Sequence, residues 1–273
     1  VNPYWLEIKL ANFSAQDVSK LRQATGAGML DAKKALDEND GNFEAAQQWL
    51  REKGLASAAK RADRENSEGA VALAQLDNRA ALVELRCETD FVAKSADFVN
   101  VANDLAAAVA EKGENATNEL KPKVEELNIT LKENIDVGRI VRFEAPAGNI
   151  IDGYLHIQND RGKNGVLVEL NGGTKEIAHD IAVHIAFARP QYLKKEDVPA
   201  DVIEAERATF ETIAKNEGKP EAALPKIVEG RIQGFLKEVC LLEQPWVKDE
   251  KQTISQLLGA AELVRFAQIE IGQ

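Results

Sequence analysis

The chain has only two cysteines, Cys87 and Cys240, three histidines and one methionine. Two thiols cannot build a disulfide framework or a four-thiolate zinc site. Aromatic residues make up 5% of the 273 positions, too few for a stacking platform that grips single-stranded nucleic acid. No apolar run approaches the ~18 residues that a membrane-spanning helix requires. Positive charge is not in excess either. Thirty-four basic against 45 acidic residues give a net charge of −11, the opposite of what a phosphate-backbone binder carries. The expectation is a soluble cytoplasmic protein with no direct nucleic-acid partner and no membrane partner. The apolar share of 44% and charged share of 29% are an ordinary globular balance. At roughly 100–200 residues per domain, about two domains are expected.

Signs of chemistry are also lacking. No GxxxxGK[ST] loop is present to cradle a nucleoside triphosphate, and no GxGxxG opens a βα unit. His179 and His184 are five apart, so on a helix they project about 140° from one another and share no face for a metal. Cys87 has no base near it in sequence, and a buried, inert thiol is the default for such a residue. With 45 carboxylates, no one pair stands out as an acid and base. No catalytic residue, metal or cofactor is expected.

What is present begins with residues 1–10, VNPYWLEIKL, which have no signal-peptide shape and read as an upstream extension or expression remnant. Structured sequence is expected from Ala11. Residues 11–54 read as a three-helix unit. Ser14 is a candidate N-cap with Asp17 in the first turn, and Val18, Leu21 and Arg22 follow at helical spacing. Thr25-Gly26-Ala27-Gly28 breaks the first helix, and Met29–Leu36 make the second. Asn39–Asn42 turn the chain, and Phe43–Lys53 make the third helix. Some forty residues fold alone only marginally, and small bundles of this kind usually bind something. Residues 55–68 continue a charged stretch begun at Arg51 and read as a partly helical linker, a solvated basic tether.

Residues 69–190 contain an internal repeat. Leu82-Val83-Glu84-Leu85 recurs as Leu167-Val168-Glu169-Leu170. VANDLAAAVA at 101–110 aligns with IAHDIAVHIA at 177–186, sharing Ala102/Ala178, Asp104/Asp180, Ala106/Ala182 and Ala110/Ala186. Each copy has two strand signals followed by a helix: 70–76, 80–85 and 98–111, then 150–157, 165–170 and 175–188. Two related α+β subdomains follow, at 69–145 and 146–273. From Leu85 to Ala102 is 17 residues, whereas from Leu170 to Ala178 is eight. The first copy therefore holds a nine-residue excess within RCETDFVAKSADFV at 86–99. Extra segments on a rigid scaffold are where binding residues concentrate. Phe98, entering the helix, reads as core; Phe91 reads as exposed.

Residues 199–239 carry two facing apolar stripes: Ile203, Phe210, Ile213 and Ala214, then Leu224, Ile227, Val228, Ile232, Phe235 and Val239. The short turn at Asn216–Pro220 calls for an antiparallel helical hairpin, with Pro225 in the first turn of its second helix. It reads either as a packed appendage or as a contact between copies, that is, a homodimer. Thr253–Gly259 read as a capped helical turn. Strand signals at 135–144 and 262–271 complete the sheets.

TGAGMLDAKKAL at 25–36, CETDFVAK at 87–94, GKP followed by KIVEGR within 218–231, and QPWV at 244–247 occur in that order. Together they resemble the bacterial translation elongation factor Ts family, over nearly all of 11–273. The resemblance implies a guanine-nucleotide exchange factor. It would bind elongation factor Tu in its GDP-bound and nucleotide-free forms and act without side-chain chemistry. It implies an α+β fold with an N-terminal three-helix bundle like a ubiquitin-associated domain, two related α+β subdomains and a projecting antiparallel helical hairpin. It implies that Thr89, Asp90 and Phe91 form the segment wedged near the partner's magnesium and nucleotide site. Arg22, Met29, Leu30 and Lys33 would contact the partner's nucleotide-binding domain, Met29-Leu30 standing where the family has a methionine pair. Leu131 would be a further contact, followed by Lys132 where the family often has glycine. His156 would meet the partner's third domain, and Val247 in QPWV would add another contact. Two other functions fit parts of the chain. One is an adaptor binding peptides or ubiquitin-like partners through the three-helix unit, which leaves the repeat and the Thr89–Phe91 segment unused. The other is a hydrolase using Cys87 with a distant histidine.

Overall fold

A computed structural model describes residues 12–273. The expectations for residues 1–10 and for a structured start at Ala11 lie outside the described residues.

Ser14 caps α1 (Ala15–Thr25) through a capping box: its side chain accepts from Asp17 N–H while the Asp17 carboxylate accepts from the Ser14 N–H. Gly26 takes φ +65° and closes α1, a left-handed conformation that glycine adopts at no steric cost. Then come α2 (Met29–Glu38) and α3 (Phe43–Ala59), the latter capped by Asn42. Val18, Leu21, Ala32, Ala35, Leu36, Ala46 and Leu50 make the core of these three helices.

Beyond them, β1 (Glu68–Gln75) and β2 (Arg79–Cys87) lead to a short helix, α4 (Asp90–Ala93), and to α5 (Ala96–Lys112). A 3₁₀ segment at Glu114–Leu120 precedes α6 (Lys121–Thr130), and β3 (Asp136–Glu144) follows. The remaining chain runs through β4 (Asn149–Gln158), β5 (Arg161–Asn171) and α7 (Lys175–Ala188) to α8 (Ala200–Asn216) and α9 (Leu224–Val239). It ends with β6 (Pro245–Trp246), β7 (Asp249–Thr253), α10 (Ile254–Leu258) and β8 (Glu262–Glu270). The architecture is α+β: N-terminal helices, two sheet-containing parts and further helical segments.

By its internal contacts the chain divides into two units. The first comprises Val1–Gly69, described from residue 12, with Arg86–Val101 and Asn118–Val137. In it α3 runs six residues past the expected end at Lys53. Gly54 does not stop the helix. It lets α3 approach α6, and a Cβ there would stand 2.7 Å from Ile129 Cγ2. Residues 51–64 are therefore not simply a solvated tether. Arg61 donates to the Asn128 carbonyl at 2.6 Å, and Arg64 pairs with Glu88 at 3.4 Å.

The second unit comprises Ala70–Leu85, Ala102–Thr117 and Gly138–Gln273. The two three-stranded sheets run in the orders β1-β2-β3 and β4-β5-β8. The repeated tetrapeptide lies in the middle strand of each sheet. Its glutamate is buried in both copies: Glu84 at 5% exposure, paired with Arg139 of β3, and Glu169 at 2%, paired with Arg265 of β8. A buried carboxylate is tolerable only with such a partner. Leu82, Phe143, Ile151, Leu167 and Ile269 share one apolar cluster, and α7 covers the other face of β5 through Ile181 and Ile185. Helices α8 and α9 pack around Val228, Ile232, Leu236, Ile203 and Phe210. Pro225 sits in the first turn of α9, where its missing N–H costs nothing. Among the described residues, no helix is long and apolar enough to cross a membrane.

Candidate partner-binding site

The nine-residue excess is not an open loop. β2 ends at Cys87, a fully buried thiol that donates to the Thr89 carbonyl at 3.2 Å. Thr89 is extended (φ −127°, ψ 153°), and its hydroxyl oxygen accepts from Val92 N–H to cap α4. Ala93, wholly buried, anchors the inner side of this turn.

Two carboxylates staple its base. Glu133 accepts from the backbone N–H of Glu88 at 2.9 Å, from that of Thr89 at 3.0 Å, and from the Thr89 hydroxyl. In return, Glu88 accepts from Asn134 N–H at 2.7 Å. Asn134 itself donates to the carbonyls of Ala62 and Arg64, and Arg86 pairs with Asp136 at 2.8 Å. Charge-assisted bonds of this kind are the strong ones.

On this fixed base the outer residues face solvent. Phe91 is 72% exposed, an unusual state for a ring that gains so much from burial. The Asp90 side chain is half-exposed. Phe98, by contrast, is fully buried.

Met29 and Leu30, at the start of α2, are 51% and 84% exposed. The Gly26–Gly28 turn presents them. Thr25 Oγ1 accepts from Ala27 N–H, and Gly28 begins α2 with no side chain of its own. Arg22 and Lys33 are exposed on the same bundle. Asp31, beside them, pairs with Lys53 at 2.8 Å. The Lys53 hydrogen bond, with help from the charges of Lys53 and Lys132, lowers the Asp31 carboxyl below its ordinary value. Lys132 has φ +60°, the left-handed region. Leu131 is half-buried and closes α6, its N–H donating to the Leu127 carbonyl. The first unit thus holds Arg22, Met29, Leu30, Lys33, Leu131 and the Thr89–Phe91 segment.

His156 and Val247 belong to the second unit. His156 is exposed near the end of β4, its Nδ1 3.3 Å from the Tyr154 hydroxyl. His179 meets Asp152 at 2.9 Å. His184, buried, is fixed by two bonds. Its Nδ1 accepts from Val247 N–H at 3.3 Å, which leaves Nε2–H to donate to Gln244 Oε1 at 2.9 Å. Burial pushes its pKa down from 6.5. Val247 itself is 38% exposed. The two α7 histidines therefore have different partners, and among the described residues no cluster of three or more His, Cys, Asp or Glu is arranged for a metal. Cys87 is sealed from solvent and its thiol donates to the Thr89 carbonyl, the arrangement of a structural thiol rather than of a nucleophile.

Sequence reasoning missed Glu133, Glu88, Lys94 and His184. Only Lys94 had a local signal, its i,i+4 spacing from Asp90.

A family model described as elongation factor TS matches residues 88–273. The chain is 45% identical to elongation factor Ts of Renibacterium salmoninarum over 280 residues, covering 96% of this chain and all of the relative. It is 45% identical to that of Clavibacter sepedonicus over 277 residues and to that of Streptomyces coelicolor over 280, with the same coverage.

Proposed function

The chain belongs to the elongation factor Ts family, and from that premise we propose how its residues do the family's work. It is a guanine-nucleotide exchange factor for elongation factor Tu, acting through protein–protein binding without side-chain chemistry. In our reading, Thr89–Phe91 is the wedge. Asp90 and Phe91 enter the partner beside its magnesium and nucleotide site and stabilise the nucleotide-free complex. The observation that carries this is an exposed phenylalanine on a base held by the Glu133 and Glu88 carboxylates.

Exchange requires coupling. If the factor weakens GDP binding by some ratio, GDP weakens factor binding by the same ratio. A shift of ~10⁴ needs about 5.5 kcal/mol of differential interaction. One buried aromatic supplies roughly 1.5–3 kcal/mol. Phe91 therefore shares the task with Asp90 and with contacts that hold the factor in place. For those we assign Arg22, Met29, Leu30 and Lys33 on a ubiquitin-associated-like bundle, Leu131 after α6, and His156 and Val247 in the second α+β subdomain. The exposure of Met29 and Leu30 supports the first group. We divide the chain into a three-helix domain at 11–54, a linker at 55–68 whose first residues continue α3, and related subdomains at 69–145 and 146–273. The paired, buried Glu84 and Glu169 support that kinship. The segment 199–239 is an antiparallel hairpin inserted in the second subdomain, serving association geometry or contact between copies rather than the wedge.

The test is to load elongation factor Tu with fluorescent GDP and add the protein. Accelerated release, saturating with factor, is expected. Release at the spontaneous rate would contradict the reading and favour an adaptor.

A further inference from the structure

Lys94 is the residue that follows α4. Its main chain closes that turn, the N–H donating to the carbonyls of Asp90 and Val92. Its side chain folds back over the same turn. The ammonium lies 3.5 Å from Asp90 Oδ2 and 4.4 Å from the centroid of the Phe91 ring. One cation thus touches both residues of the proposed wedge. A cation is attracted to the negative face of an aromatic ring, and an i,i+4 carboxylate–lysine pair adds a second attraction. Without such a contact, a phenylalanine that is mostly in water has no neighbour to hold its ring in one rotamer, and ordering it would fall to the insertion step.

We infer that Lys94 is a positioning residue for exchange: it binds Asp90 and Phe91 together, so that the wedge reaches the partner already ordered. The inference rests on the wedge reading of Thr89–Phe91. Lys94 makes its contribution through Phe91 and Asp90, not through the partner. Its effect therefore falls on the release step within the complex and leaves docking through the other surfaces unchanged.

The experiment measures fluorescent GDP release from elongation factor Tu against factor concentration, for the parent, Lys94→Met, Lys94→Arg, Phe91→Ala and the double variant Phe91→Ala/Lys94→Met. Lys94→Met keeps the apolar stem and loses the charge. It is expected to slow release at saturation about two- to five-fold, the size of an exposed cation–ring contact, with the half-saturating concentration unchanged. Lys94→Arg, which keeps the cation, should restore the parent rate. In the Phe91→Ala background, Lys94→Met should do little more. Thermal unfolding of each variant checks the fold, and an unchanged midpoint is expected because Lys94 and Asp90 are both substantially exposed. A parent rate for Lys94→Met overturns the inference, as does an Arg variant as slow as the Met variant. So does a Lys94→Met effect that persists in full without Phe91. A parent rate for Phe91→Ala is a different result: it overturns the wedge itself, and this inference with it.

Discussion

Glu133 links two segments more than forty residues apart in sequence, and removing it tests whether the proposed wedge needs a rigid base. Its carboxylate takes two backbone N–H bonds, from Glu88 and Thr89, and the Thr89 hydroxyl. A hydrogen bond to a charged group contributes about 1.5–3 kcal/mol. The three share one half-buried carboxylate as acceptor, so they do not add. Glu133→Ala is expected to destabilise the fold by about 3 kcal/mol. Glu133→Gln keeps one oxygen for the two N–H groups and offers its amide to the Thr89 hydroxyl oxygen, so it should cost about 1 kcal/mol. If half of the Ala penalty falls on the order of the Thr89–Phe91 segment, release within the complex slows about tenfold, at 1.36 kcal/mol per factor of ten. Denaturant unfolding gives the first quantity and stopped-flow release of fluorescent GDP the second. Amide hydrogen exchange at Glu88 and Thr89 reports the staple itself. Parent release kinetics for Glu133→Ala, with the Glu88 and Thr89 amides as slow to exchange as before, would show that the Thr89–Phe91 segment does not depend on this staple.

Three further outcomes are expected. Leu30→Ser removes an exposed side chain, so unfolding should shift by less than about 0.5 kcal/mol. The factor concentration for half-maximal exchange should rise, and an unchanged value would remove Leu30 from the contact surface. Lys132→Gly should stabilise the protein by roughly 0.5–1 kcal/mol in denaturant unfolding, because a side chain at φ +60° is strained; a loss of stability would show that the Lys132 charge matters more than its backbone. For His184, burial lowers the pKa in the folded state, so the unfolded chain takes the proton first. Its contribution to stability is complete above pH ~6.5 and is lost as pH falls below that value toward the folded pKa. Replacing it by Gln should flatten the fall in the unfolding midpoint over that range; an equal slope in both proteins would contradict the buried, neutral imidazole.

Much of the fold was legible because its signals are local. The Ser14 cap, the Gly26 turn and the stripes of α8 and α9 can each be read within a dozen or so residues, and the strand–strand–helix repeat shows through short matching segments. Segment 113–134 was not legible. In α6 only Val124 and Leu127 are buried, too few apolar positions among charges to declare a helix. The true end of α3 was not legible either: the charged stretch from Arg51 reads as a linker, and nothing local marks Gly54 as the place where Ile129 approaches the helix. At the site, Phe91 stood out through the length mismatch between the two repeat copies and through its motif. The groups that hold it did not. Glu133 reaches Thr89 across 44 positions, and no periodicity encodes such a pairing. His184 belonged to an apolar helix and gave no sign that it would bind the Val247 N–H.

In our reading Phe91 acts on the partner and not on its own fold. The most direct measurement compares Phe91→Ala with the parent in two readings: release of fluorescent GDP from elongation factor Tu at saturating factor, and thermal unfolding of the free protein. Because the ring is 72% exposed, the unfolding midpoint should stay where it is while catalysed release falls by at least tenfold, the share that burial of one aromatic ring can supply. Release at the parent rate from a folded Phe91→Ala protein would contradict the account.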